Sequence, residues 1–250
     1  MISEAQLHVY DSPEELHKAV ASTLVDVIWR AILDRDICIL ALSGGETPRP
    51  IYRKLGSPPF REQIEWEKVH LLFGDERMVP PNDPRSNFGM VQHELLAAIS
   101  IPPKNVHRIP GEVDPAVAAR EYESNLRMLL SDGRKRIDCV LLGLGEDGHT
   151  ASLFPGSSVL QEEKALVHPV SSEQTGTWRV TITIPLINAA RTVIFLVKGK
   201  EKAEIVRRIA HIPKPTIDLP ASLVEPDDGK LVWMLDREAA SGVVPSRRHP

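Results

Sequence analysis

Asp147 and His149, an acid and a histidine two residues apart, lie in the run Gly143-Leu144-Gly145-Glu146-Asp147-Gly148-His149-Thr150-Ala151-Ser152-Leu153-Phe154-Pro155-Gly156. Imidazole is the side chain best matched to moving protons near neutral pH. The glycines let the backbone leave a strand sharply and approach a ligand closely. The run follows Cys139-Val140-Leu141-Leu142, which reads as a buried strand. A strand ending in such a loop is where α/β proteins place their chemistry. Two other readings compete. Gly143-x-Gly145-x-x-Gly148 matches dinucleotide-binding spacing, but that motif needs a long helix starting among its glycines to meet the pyrophosphate. Pro155 and Gly156 cut any such helix short, and no clear βαβ unit with a ribose-binding acid accompanies it. The second alternative is a glycine-rich turn with a solvated histidine.

Three more apolar runs end in polar loops: Ser43-Gly44-Gly45-Glu46-Thr47-Pro48, Gly74-Asp75-Glu76-Arg77-Met78-Val79-Pro80, and Lys198-Gly199-Lys200-Glu201-Lys202. In a parallel sheet all four loops converge on one edge. The Ser43–Thr47 loop lacks the Gly-Lys-Ser/Thr of a P-loop. Its two glycines, two hydroxyls and free N–H groups still make a cradle for one phosphate, or else a capped strand-to-helix turn. Lys202, at the start of the next helix, opposes the helix dipole, which a nearby anion would rationalise; otherwise it is a solvated lysine. Arg179 is a second phosphate ligand or a strand-end charge. Asp75 and Arg77 stand at the mouth of the site, with Asp83, Arg85, Ser86 and Asn87 beyond. The arginines either pair with the acids or act on a carboxylate or carbonyl, and Ser86 or Asn87 is the expected N-cap of the following helix.

The elements that must position these loops are legible as an alternation. Ser12-Pro13-Glu14-Glu15 is a capping box, and Leu16, Val20, Leu24, Val27, Ile28 and Ala31 extend a helix to about Asp34. Strands are expected at 37–42, 69–73, 139–142, 192–197 and 231–235, and a half-exposed one at 180–184. Helices are expected at 87–96, 115–130 and 201–209. Such alternation implies an α/β fold with a largely parallel sheet and helices on both faces.

Composition narrows the function classes. The 250 residues suit one large α/β domain or two small ones; with no clean linker, a single domain spanning 1–250 is expected, with a flexible tail from about 241. Net charge is −4 with dispersed basic residues, which argues against a nucleic-acid partner. Cys38 and Cys139 fall in strand-like runs and read as buried free thiols of a reducing compartment. No apolar run approaches membrane-spanning length and no leader pattern opens the chain, so a cytosolic protein is expected. His93, His107, His168, His211 and His249 lack the close spacing of a zinc site, so no metal is expected. No Gly-x-Ser-x-Gly elbow is present.

Together the loops resemble the 6-phosphogluconolactonase branch of the glucosamine-6-phosphate isomerase/6-phosphogluconolactonase family. The resemblance rests on Leu42 to Pro48, Gly74 to Pro80 with Ser86-Asn87, Gly143 to Gly156, Arg179-Val180-Thr181 and Gly199 to Ala203, and runs from about Tyr10 to Ala240. It implies a Rossmann-like sheet with a smaller, partly antiparallel portion. It implies hydrolysis of 6-phospho-D-glucono-1,5-lactone in the oxidative pentose phosphate pathway, with no cofactor. His149 would be the general base. Asp147 or Asp75 would orient it or hold sugar hydroxyls, and Arg77 would stabilise the lactone oxygen or bind hydroxyls. Ser43, Gly44, Gly45 and Thr47, with Arg179 and Lys202, would hold the phosphate. The sister deaminase/isomerase activity needs an acid five residues after the histidine, where this chain has Phe154. A non-catalytic phosphosugar sensor would need a DNA-binding module, for which the ten residues before the first helix leave no room. Oligomeric state is not legible.

Overall fold

The computed structural model describes residues 7–131, 136–172 and 176–243. Its strands are β1 (Leu7–Tyr10), β2 (Cys38–Leu42), β3 (Val69–Phe73), β4 (Asp75–Arg77), β5 (Val106–His107), β6 (Cys139–Leu142), β7 (Val167–Ser172), β8 (Thr177–Ile182), β9 (Thr192–Val197) and β10 (Lys230–Asp236). Its α-helices are α1 (Pro13–Arg35), α2 (Arg49–Leu55), α3 (Asn87–Glu94), α4 (Pro115–Leu129), α5 (Ile184–Asn188) and α6 (Ala203–His211).

Seven strands form one sheet in the order β1-β10-β9-β6-β2-β3-β5, every pair parallel. Its central strands β2 and β6 are buried along their whole length, as their unbroken apolar runs require. From β2 the chain builds outward through β3 and β5; from β6 it builds the other way through β9 and β10. The order therefore reverses between β2 and β6, and the crevice at their carboxyl ends is the topological switch point. The loops leaving those two strands are Ser43–Thr47 and the Asp147/His149 loop.

Local signals explain the helices. Ser12 accepts from the Glu15 N–H and Asp36 closes α1 in the left-handed region at φ 61°. Ser86 caps α3 by accepting from Gly89 N–H, so Asn87 is left to another task. Two buried tyrosines pin the strand ends next to the site. The Tyr52 hydroxyl accepts from Ser43 N–H at 3.0 Å and donates to Ser43 O at 2.7 Å. Tyr122 brackets Phe73 in the same way, at 2.9 Å on each side. Cys38 and Cys139 are buried free thiols.

A second, antiparallel sheet has the order β4-β8-β7. The two sheets correct three expectations. Asp75–Arg77 is a strand and not a loop. Val167–Ser172 and Leu7–Tyr10 are strands that the hydrophobic pattern did not reveal. The half-exposed strand expected at 180–184 runs instead from Thr177 to Ile182, and Val180, Thr181 and Ile182 are all buried. The alternation misled because Thr181 faces protein: its hydroxyl accepts from Ser152 N–H at 3.2 Å and donates to Ile182 O at 3.0 Å. Of the tail expected from about 241, Ser241 and Gly242 belong to the 3₁₀ turn Ala239–Gly242; residues 244–250 and the first six residues lie outside the described residues. No helix among the described residues is long and apolar enough to cross a membrane.

Candidate active site

The loop after β6 folds by its own spacing. Gly145 N–H donates to His149 O at 2.8 Å and Gly148 N–H to Gly145 O at 3.0 Å. Thr150 Oγ1 donates to Gly143 O at 2.8 Å. Gly148 sits at φ +88°, a conformation that favours glycine. This turn brings Asp147 Oδ1 to 2.6 Å from His149 Nδ1 and 3.1 Å from His149 N. A carboxylate only accepts, so Nδ1 carries the hydrogen and Nε2 holds the ring's lone pair. Gly145 makes room for the pair: a Cβ there would lie 2.1 Å from His149 Nδ1 and 2.6 Å from Asp147 Oδ1. No long helix starts among the glycines, which removes the dinucleotide alternative.

The other half of the site is built across strands. Asp75, 6% exposed, accepts from Ser152 Oγ at 2.6 Å and from Asn87 Nδ2 at 3.0 Å. Arg179 Nη1 lies 3.9 Å from its Oδ2. Arg77 and Arg179 are direct neighbours on β4 and β8, a juxtaposition of like charges that costs stability. Each has a buried Nε–H without a partner among the described residues. Burial lowers the Arg179 pKa, with Asp75 opposing that shift and Arg77 adding to it. Two crowded guanidiniums with unsatisfied donors are what an anion-binding wall requires. Arg77 is tied by Nη1 to Arg85 O at 2.5 Å, whereas Arg85 pairs with Asp83 at 2.8 Å.

Glu76 points away from Asp75, as strand alternation demands. Its carboxylate accepts from the N–H groups of Arg77, Asn87 and Phe88 and from Ser86 Oγ, at 2.7–3.0 Å. It seats the first turn of α3, where an acid suits the helix dipole. Burial raises its pKa against the pull of those donors.

A cleft of about 250 Å³ lies between the halves. It is lined by Ser43, Gly44, Gly45, Thr47, Asp75, Arg77, His149, Arg179 and Lys202, with Lys198 and Leu144 among the rest. The structure thus brings together every residue to which the resemblance assigns a role except Asp147, which stands behind His149 and lines a neighbouring cavity of about 760 Å³. Lys202 precedes α6 with Glu146 at 3.8 Å. Gly44 is required where it is, because a Cβ would fall 1.8 Å from Asn87 Oδ1. Among the described residues no group of three or more His, Cys, Asp or Glu could hold a metal ion.

Sequence reasoning missed Ser152, Tyr52 and Lys198, and left Asn87 as a possible cap. Ser152 lay inside the quoted motif, but nothing local indicated that it reaches across to Asp75. Lys198 was one residue of a quoted loop with no reason to prefer it to Lys202.

A family model described as glucosamine-6-phosphate isomerases/6-phosphogluconolactonase matches residues 11–233. The chain belongs to this family. A 6-phosphogluconolactonase of Aggregatibacter actinomycetemcomitans is 39% identical over 204 residues, covering 80% of this chain and 85% of the relative. The crystallised 6-phosphogluconolactonase of Trypanosoma brucei superposes with a TM-score of 0.82 at 29% identity, covering 96% of this chain and 98% of that one. A monomeric glucosamine-6-phosphate deaminase superposes almost as well, with a TM-score of 0.81 at 27% identity over 95% of this chain and 99% of that one. The fold of the 6-phosphogluconolactonase/deaminase family is therefore common to both activities, and the choice between them rests on the side chains of the cleft.

Proposed function

We propose that this chain hydrolyses 6-phospho-D-glucono-1,5-lactone to 6-phospho-D-gluconate. The observation that carries the reading is the 2.6 Å contact of Asp147 with His149 Nδ1, which leaves Nε2 as a base in a cleft walled by Arg77, Arg179 and Lys202. His149 Nε2 takes a proton from water as the water oxygen attacks the lactone carbonyl carbon. Asp147 holds the ring's tautomer and balances the imidazolium that forms. Arg77 offsets the negative charge that develops on the carbonyl oxygen. As the ring C–O bond breaks, the imidazolium returns its proton to the departing ring oxygen, and the new carboxylic acid ionises. Ser43, Gly44, Gly45 and Thr47 with Lys202 and Arg179 grip the phosphate, which places the carbonyl against His149. Asp75, fixed by Ser152 and Asn87, takes sugar hydroxyls and balances Arg179. No cofactor enters this chemistry, and its place is the cytosolic oxidative pentose phosphate pathway.

Phe154 favours the lactonase over the deaminase/isomerase, since a phenyl ring cannot shuttle the proton that ring opening of an amino sugar needs. The test is direct. The lactone is generated in situ and its loss is followed against spontaneous opening, while a parallel sample with glucosamine 6-phosphate is assayed for ammonia. Acceleration of the first without ammonia in the second is expected. Ammonia release without lactone loss would replace this reading with the deaminase.

A further inference from the structure

The Phe154 ring touches both halves of the site. Its centroid lies 4.9 Å from that of His149 at a tilt of 51°. The Arg179 guanidinium carbon lies 5.6 Å above the same ring. His149 and Arg179 line the catalytic cleft, whereas Phe154 lines the larger cavity behind it. The ring is thus a partition with a cation or a nascent cation against it on the cleft side. Beyond that ring, Arg179 has little to hold it. Among the described residues its nearest carboxylate is 3.9 Å away and its Nε–H has no partner, and Arg77 repels it from the facing strand.

We propose that Phe154 is a positioning residue: its π face holds the Arg179 guanidinium at the anion-binding wall and supports the imidazolium of His149. An aromatic face attracts a cation, more strongly where water is excluded. The ring therefore favours the state in which His149 has accepted its proton. An aliphatic residue would fill the volume without either effect. The inference rests on the reading of His149 as base and Arg179 as phosphate ligand.

The charged groups around His149 are Asp147 at Nδ1, the Lys202–Glu146 pair, Lys198, and Asp75, Arg77 and Arg179 across the cleft. All of them persist in Phe154→Leu, so a change in the imidazole titration reports the ring and Arg179's freedom to move. Two measurements test the proposal: NMR titration of the His149 imidazole, and calorimetric affinity for 6-phosphogluconate. In Phe154→Leu the His149 imidazole is expected to titrate at lower pH than in the wild type, and the affinity to fall about three- to tenfold. Phe154→Tyr, which keeps the ring, restores both. Phe154→Met supplies a second ringless variant should the leucine variant fold poorly. In an Arg179→Ala background the affinity lost through Phe154→Leu shrinks toward none. Ringless variants with the wild-type titration and affinity would overturn the proposal, as would an affinity loss of the same size with or without Arg179. A wild-type protein without lactonase activity would defeat the functional reading alone, because the titration decides the role of the ring independently.

Discussion

The loop half and the strand half of the cleft are built on opposite principles. Asp147 and His149 meet through bonds that span at most seven residues, all inside one turn. Asp75 meets Ser152 across 77 residues, and Arg77 meets Arg179 only because β4 and β8 pair in one register. The first arrangement is set once β6 ends in the right glycines. The second exists only when two sheets and a helix are in place. In the proposed mechanism the proton-transferring group sits on the locally determined half, whereas Asp75 and Arg179 of the substrate grip sit on the assembled half.

Substitutions in the two halves separate these roles. The largest effect is expected from His149→Ala, with kcat reduced about a thousandfold through loss of the general base, read from initial rates above the spontaneous background. Ser152→Ala cuts the tie between the halves. Losing a buried donor to a carboxylate is expected to lower stability by about 1–3 kcal/mol, and the loosened Asp75 to lower kcat/KM about tenfold; denaturant melts and rates together measure both. A wild-type melt with unimpaired rates would mean that the halves are not coupled through this bond. The smallest effect concerns Glu76. Burial raises its pKa above the ordinary 4.5, so the folded chain binds that proton more readily than the unfolded chain. Stability from this group is full below pH 4.5 and is lost as pH rises through the raised value. Glu76→Gln removes that slope, so wild type should lose stability relative to the variant as pH rises across the window. A difference independent of pH would show that the donors of α3 cancel the effect of burial, and a wild type that gains stability as pH rises would show that they outweigh it.

The sequence was most informative where one segment carries its own answer. The runs of β2, β6 and β9 are buried along nearly their whole length and read as unbroken apolar stretches, β3 and β10 read as nearly continuous ones, and α1 announces itself through Ser12, Pro13 and an apolar stripe. His149 and Asp147 were legible for the same reason. The three-stranded sheet was not, because β4 is three residues of charge, Asp75–Arg77, held as a strand only by its pairing with β8. Thr181 counted as a solvent-facing position until Ser152 covered it. Asp75 was placed in the site, but its partners Ser152 and Asn87 could not be inferred, since contacts between distant segments leave no period in the chain.

One comparison tests this division of labour most directly: kcat and KM for His149→Ala and Arg179→Ala, measured side by side on freshly generated 6-phospho-D-glucono-1,5-lactone and corrected for its spontaneous opening. The account predicts that His149→Ala loses kcat with KM little changed, and that Arg179→Ala raises KM about tenfold or more with the smaller change in kcat. If His149→Ala keeps wild-type kcat, or if both variants fail in KM alone, the proton-transferring role of the Asp147–His149 loop is contradicted.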